Sequence, residues 1–140
     1  MLTADARPAR PKRMAEVVLD ASAILAYLLG EPGAEMVEAV LLRSLVSPVN
    51  IAEVIGKLID RGLSADTAEA TVGKLGCEIA PADAALGREA GKLHEKTRGR
   101  GISLGDRFCL SLSAQTGLPA LSADRAWKTL GLDLEIKLIR

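Results

Sequence analysis

The run Val17-Val18-Leu19-Asp20, leading into Ala21-Ser22-Ala23-Ile24-Leu25-Ala26-Tyr27-Leu28, constrains the fold more than any other stretch. Three β-branched and aliphatic residues read as a short strand buried on both faces. Ala23, Ile24, Tyr27 and Leu28 then fall at helical spacing. A carboxylate at the hand-over from a buried strand to a helix lies at the carboxyl edge of a sheet, where open α/β folds bind ligands. Asp is also a common helix N-cap, so Asp20 alone leaves both readings open.

The pattern repeats along the chain. Glu31-Pro32-Gly33 is a turn signal, and Ala34 to Leu42 places Val37, Val40 and Leu41 on one helical face. Ser44 to Ser47 forms a second strand. From Pro48 a helix carries Ile51, Val54, Ile55, Leu58 and Ile59 at the spacing of a packed face, and Gly62 ends it. Ser64-Ala65-Asp66 starts another helix that runs to Leu75. Gly76 to Ala80 is a third strand candidate, and Pro81-Ala82-Asp83 opens a helix through Leu93. His94 to Gly101 reads as a basic, glycine-containing loop, and Ser103 opens an apolar helix to Ala114. Ala120-Leu121-Ser122 makes a fourth strand, a short helix surrounds Trp127, and Leu134 to Ile139 suggests a fifth strand. Strands alternating with helices predict one α/β domain, an α/β/α sandwich around a parallel sheet of about five strands. Residues 1–15, with Arg7, Arg10, Lys12 and Arg13 against Asp5, read as a disordered basic leader, and 16–140 as the domain.

Composition narrows the function. Aromatics make up 2% of 140 residues, too few for an RNA surface built on stacked rings. The formal net charge is zero, and beyond the leader 14 basic side chains face 17 acidic ones. A nucleic-acid substrate would therefore need local basic groups or bound cations. Cys77 and Cys109 lie 32 residues apart and His94 is the single histidine, which disfavours structural zinc and a disulfide framework. No apolar run approaches the roughly 20 residues of a membrane span, and the N-terminus lacks the apolar stretch of a signal peptide. A cytoplasmic protein is expected.

Four carboxylates share one context: Asp20 after the first strand, Glu53 and Asp106 in the first turns of two helices, and Asp124 after the fourth strand. In a parallel sheet all four face the same edge. At 4 Å and an effective dielectric near 20, each like-charged pair costs about 4 kcal/mol. A divalent cation relieves that repulsion, and an all-oxygen set suits Mg²⁺ or Mn²⁺ rather than zinc. Such an ion assists water attack on a phosphate. Each acid also has a plain reading. Asp20 and Asp124 could cap helices, Glu53 could belong to a capping box after Asn50 or pair with Lys57, and Asp106 sits at capping-box spacing from Ser103.

The blocks Val18-Leu19-Asp20-Ala21-Ser22-Ala23, Asn50-Ile51-Ala52-Glu53-Val54, Ile102 to Leu110 and Leu121 to Trp127 resemble the PIN domain family, specifically its VapC-type toxins. The resemblance spans residues 16–139. It implies a Mg²⁺- or Mn²⁺-dependent endoribonuclease with Asp20, Glu53, Asp106 and Asp124 as catalytic, metal-binding acids. It further implies that Ser22 supports the site by hydrogen bonding, and Ser122 is grouped with it. Asn50 falls at a variable position of the family. Arg98, Arg100, Arg107 and Arg125 are candidate guides for the RNA backbone. The family usually dimerises and is silenced by a VapB-type antitoxin, for which the Ala34–Leu42 and Ile51–Ile59 helices would offer a groove.

Two other classes are weighed. A phosphoaspartyl enzyme wants a second Asp two residues after the first, where Ser22 stands, and a receiver wants an acidic pair at that strand end. Neither a Walker loop nor a GxGxxG follows the first strand. A PIN-like binding module with a lapsed metal site is the remaining alternative, and retention of all four acids ranks it below the nuclease.

Overall fold

Val17 and Leu19 point to one face of the central sheet and Val18 to the other, and all three are buried. That alternation on a strand with no solvent face requires helices on both sides. The computed structural model describes residues 14–140 and contains this three-layer arrangement. Residues 1–13 of the expected leader lie outside the described residues. Its last residue, Ala15, packs against the core.

Five strands, β1 (Val17–Leu19), β2 (Ser44–Val46), β3 (Glu78–Ile79), β4 (Ala120–Ser122) and β5 (Ile136–Leu138), form one parallel sheet in the order β3-β2-β1-β4-β5. Helices α1 (Ala21–Leu29), α2 (Ala34–Glu38), α3 (Pro48–Asp60) and α4 (Ala65–Gly73) cover one face through Ile24, Val37, Val54, Leu58 and Val72. Helices α5 (Ala84–Thr97) and α6 (Leu104–Thr116) cover the other with Leu86, Cys109, Leu110 and the fully buried Trp127. No helix among the described residues is long and apolar enough to cross a membrane.

The expected class and strand sequence hold, with local corrections. The helix predicted from Ala34 to Leu42 stops at Glu38, and Leu41–Arg43 forms a separate 3₁₀ turn. The segment around Trp127 is likewise a 3₁₀ turn, Arg125–Thr129. The third strand shrinks to two exposed residues at the sheet edge, where no outer neighbour prolongs it. His94 to Thr97, expected as loop, continue α5, because Leu93 and the buried Thr97 carry its packed face one more turn. Ile59, expected on the core face of α3, is exposed, since the buried stripe runs through Asn50, Val54 and Leu58 instead.

The strand order places the chain's reversal between β1 and β4. From β1 the sheet grows outward through β2 and β3, then resumes on β1's other side. The crevice beyond the carboxyl ends of two such strands is where open sheets bind ligands. The chain end is seated across the α1–α2 turn. Gly33 has φ +97°, and a Cβ there would collide with the backbone and side chain of Ile139. Gly33→Ala is therefore expected to cost at least about 2 kcal/mol, from the left-handed backbone and the collision together. Urea unfolding measures it, and an unchanged midpoint would show that this seat does not contribute to stability.

Candidate active site

Asp20 stands at the reversal point, directly after β1 and before α1. Its backbone occupies the N-cap position, yet its side chain caps nothing. Oδ2 instead accepts hydrogen bonds from Ser22 Oγ (2.6 Å) and Ser122 Oγ (3.1 Å). Both hydroxyls are fixed from behind, Ser22 Oγ by the Ala123 N–H and Ser122 Oγ by the Asp124 N–H, each at 3.0 Å. With both hydroxyl protons directed at Asp20, the 3.3 Å contact between the two serines carries no hydrogen bond of its own. Oδ1 is buried and has no partner among the described residues.

The other three acids follow the same division of labour, one oxygen committed and the other bonded to no described residue. Glu53, three residues after Asn50 in α3, accepts from Asn50 Nδ2 through Oε1 at 3.0 Å. Asp106 forms a capping box with Ser103: its Oδ2 accepts from the Ser103 N–H at 2.9 Å, while Ser103 Oγ accepts from the Asp106 N–H at 3.1 Å. Asp124 caps the 3₁₀ turn through Oδ1, which accepts from the Ala126 N–H at 3.0 Å. The capping readings of Asp106 and Asp124 are thus correct and compatible with a role in the site. Those of Asp20 and Glu53 are not, since Ser47 caps α3 and Asn50 lies within it.

Electrostatics joins the acids. Burial is the main force lifting Asp20 from 3.8 to about 7, and the charges of Asp106 and Glu53 add to it, against the two serine hydrogen bonds. Burial also raises Glu53, with repulsion from Asp106, while Asn50 and Lys57 oppose the rise. Asp106 is raised by burial and by Asp124, against its bonds to Ser103. Cys109, wholly buried one turn after Asp106, is raised well above the usual thiol range by burial and then by Asp20, Asp106 and Glu53. It is kept as a thiol and packs as core.

Among the described residues no three His, Cys, Asp or Glu side chains close around one point as a finished metal site. The donor chemistry nevertheless fits a hard divalent cation: four carboxylates, mutual repulsion, and a desolvated bare oxygen on Asp20. Asp20, Glu53, Asp106 and Asp124 are the residues that would hold it.

Three of the four candidate arginines donate to backbone carbonyls. Arg100 donates to the Thr129 carbonyl at 2.7 Å, Arg107 to the Ala90 carbonyl at 3.1 Å and Arg125 to the Arg140 carbonyl at 3.4 Å. Arg98 borders a hollow of about 850 Å³ between α5 and α6 that holds none of the acids. Beside Ser22 a second cleft, about 410 Å³, is lined by Leu25 and Leu29, by Lys57, Arg61 and Arg140, and by Glu31 and Asp60, with Arg140 paired to Glu31 at 3.6 Å. Sequence reasoning reaches Lys57 only as a partner for Glu53 and misses Arg61 and Arg140, and also Gly105, whose place in the first turn of a helix is a signal because glycine is a poor helix former. Asn50 was noted without a role. Its place on the buried stripe with Val54 and Leu58 is the signal.

The sequence matches the PIN domain family over residues 17–131. No curated protein matches it. Solved structures with the same fold include DNA-bound VapBC from Salmonella typhimurium, at 16% identity and TM-score 0.70, covering 91% of this chain and all of that one. VapBC-1 from nontypeable Haemophilus influenzae aligns at 16% identity and TM-score 0.66 over 88% of this chain and 97% of that one. VapC20 from Mycobacterium tuberculosis, described as a Sarcin-Ricin loop cleaving toxin, aligns at 19% identity and TM-score 0.68 over 83% and 95%. At these identities the likeness is one of fold.

The raised Asp20 predicts a pH dependence. Between about pH 4 and 7 the folded protein keeps a proton that the unfolded chain has released, so stability falls as pH rises through that window. The loss is on the order of a few kcal/mol. Thermal melts in chelator at pH 5 and pH 8 are expected to show this decline. Asp20→Asn, which keeps an acceptor for both serines, should flatten it and be the more stable protein at pH 8. Parallel wild-type and variant profiles would contradict the burial of a protonated Asp20.

Proposed function

This chain belongs to the PIN domain family, and from that premise we propose that it is a divalent-metal-dependent endoribonuclease. In this reading it is the toxin of a VapBC-type pair, a homodimer held silent by a VapB-type antitoxin. The observation that carries the reading is Asp20: buried at the reversal point of the sheet, bonded through Oδ2 to two serines, and bare at Oδ1. The VapBC complexes of the same fold support the antitoxin partner, and the loop-cleaving VapC20 supports RNA as the substrate.

When bound, Mg²⁺ or Mn²⁺ supplies water activation and neutralises charge developing on the phosphate. The protein supplies position. Ser22 and Ser122 hold Asp20 in one orientation, Asn50 holds Glu53, and the capping box holds Asp106 at the N-terminus of α6. There the positive end of the helix dipole offsets part of the acids' repulsion. The backbone amides behind Ser22 and Ser122 keep the hydroxyl protons directed at Asp20 rather than at solvent. Lys57 and Arg61, beside Ser22, meet the phosphates of the RNA strand, which steers it without reading its sequence.

The test is cleavage of a mixed cellular RNA pool by antitoxin-free protein with Mg²⁺, Mn²⁺ or EDTA. Discrete products are expected with either metal and none with EDTA, and Asp20→Asn and Asp106→Asn should abolish them while remaining folded. Undiminished cleavage by both variants, or an inert wild type shown to be folded, would overturn the nuclease in favour of a binding module. Lys57→Ala with Arg61→Ala is expected to raise KM for RNA several-fold and to reduce its salt dependence, with kcat little changed. An unaltered KM would remove these cations from the RNA path.

A further inference from the structure

Asn50 is fully buried on α3, and its amide joins the two helices that carry acids. Nδ2 donates to Glu53 Oε1 at 3.0 Å and to the carbonyl of Gly105 at 3.1 Å. Gly105 begins the packed part of α6, and the next residue is Asp106. Both partners are acceptors, so the amide nitrogen must face them, which leaves Oδ1 buried and unpaired among the described residues. A buried unpaired acceptor is a cost to the fold, and leucine, close in size, would not incur it. What asparagine provides and leucine cannot is the pair of donors.

Gly105 completes the arrangement. It is buried, and a Cβ built on it would fall inside the Glu53 carboxylate. The Glu53 head group therefore lies flat against the α6 backbone, in space that exists only because residue 105 has no side chain. A half-buried glutamate has several torsions to lose on being fixed. Here one face is closed by a glycine backbone and one oxygen is tied down.

We propose that Asn50 and Gly105 form a seat that positions the Glu53 carboxylate against the first turn of α6, so that Glu53 and Asp106 keep a fixed relation to one another. Asn50 acts through Glu53 and touches no reacting group, which makes it a positioning residue. The consequence for an ion rests on the nuclease reading; the seat itself does not.

Two experiments separate these. The first is a double-mutant cycle followed by thermal unfolding in chelator, where neither metal nor RNA is present. Gly105→Ala is expected to lower Tm in the wild type. In Glu53→Ala the added methyl finds vacated space and the better helix former leaves Tm unchanged or raises it. Equal penalties in both backgrounds would overturn the seat. The second is Mn²⁺ titration by calorimetry together with steady-state kinetics on RNA. Asn50→Leu is expected to weaken Mn²⁺ binding about 10–100-fold and to lower kcat with KM unchanged. It should weaken Mn²⁺ no further in Glu53→Ala. If Asn50→Leu binds Mn²⁺ as tightly as the wild type, or weakens it equally with and without Glu53, Asn50 is packing alone. A wild type that neither binds Mn²⁺ nor cleaves RNA would sink the nuclease reading, while the Gly105 cycle would still judge the seat.

Discussion

A buried aspartate, 2% exposed, bonded through one carboxylate oxygen and bare at the other among the described residues, is the constraint on which the rest of this structure depends. Asp20 cannot be satisfied locally. Its two donors come from α1 and from the end of β4, a hundred residues away, and each donor is itself held by a backbone amide beyond β4. The pairing of β1 with β4 is therefore more than a sheet contact: it assembles the only oxygen–hydroxyl arrangement in which Asp20 is half satisfied among the described residues. The other oxygen is bonded to no described residue. Burial of an unpaired carboxylate is costly enough that the group takes up a proton instead, which is the physical content of its rise to about 7.

The fold distributes that cost. Sheet order puts the reversal of the chain beside Asp20, so two strands end there and two connections leave in different directions, opening a crevice. Asp106 enters it from the amino end of α6, where the helix dipole and the Ser103 box favour a negative charge. Glu53 enters from α3 and is met by Asn50. Asp124 enters from the turn that follows β4, and its own amide serves Ser122. Each acid thus comes from a different element, Asp20 and Glu53 restrained by side chains and Asp106 and Asp124 by backbone amides. Asp106 and Glu53 raise the proton affinity of Asp20, Asp106 that of Glu53, and Asp124 that of Asp106, without the described side chains closing into a finished cage.

Much of this was legible before any coordinates. Val17 to Leu19 announces a strand covered on both faces, and the alternation that follows gives the parallel sheet and its layers. The four acids were legible because each begins the element after a strand or loop. Strand order was not: nothing in Ala120-Leu121-Ser122 says that this strand returns to β1 rather than extending the sheet outward, and that choice brings Ser122 to Asp20. Boundaries failed where tertiary packing overrode local signals, as when the buried Thr97 carries α5 through the polar and charged residues His94 to Lys96. The partners of the arginines were not legible, because charge in a sequence does not disclose what it bonds. Arg100, Arg107 and Arg125 each donate to a carbonyl that only the fold brings near. Gly105 and Asn50 left faint marks, a poor helix former in a first turn and a polar residue on an apolar stripe, which acquire meaning only once α3 and α6 are seen to touch.

The measurement that bears most directly on the central claim is calorimetric titration of the metal-free protein with Mn²⁺ at pH 6, in two buffers of different ionisation heat. If Asp20 is protonated in the free protein and its bare oxygen is a ligand, binding must expel a proton. The two buffers are predicted to give different apparent heats corresponding to release of about one proton per ion, and Asp20→Asn to lose both the release and most of the affinity. Mn²⁺ binding with no proton release, or equally tight in Asp20→Asn, would contradict the account.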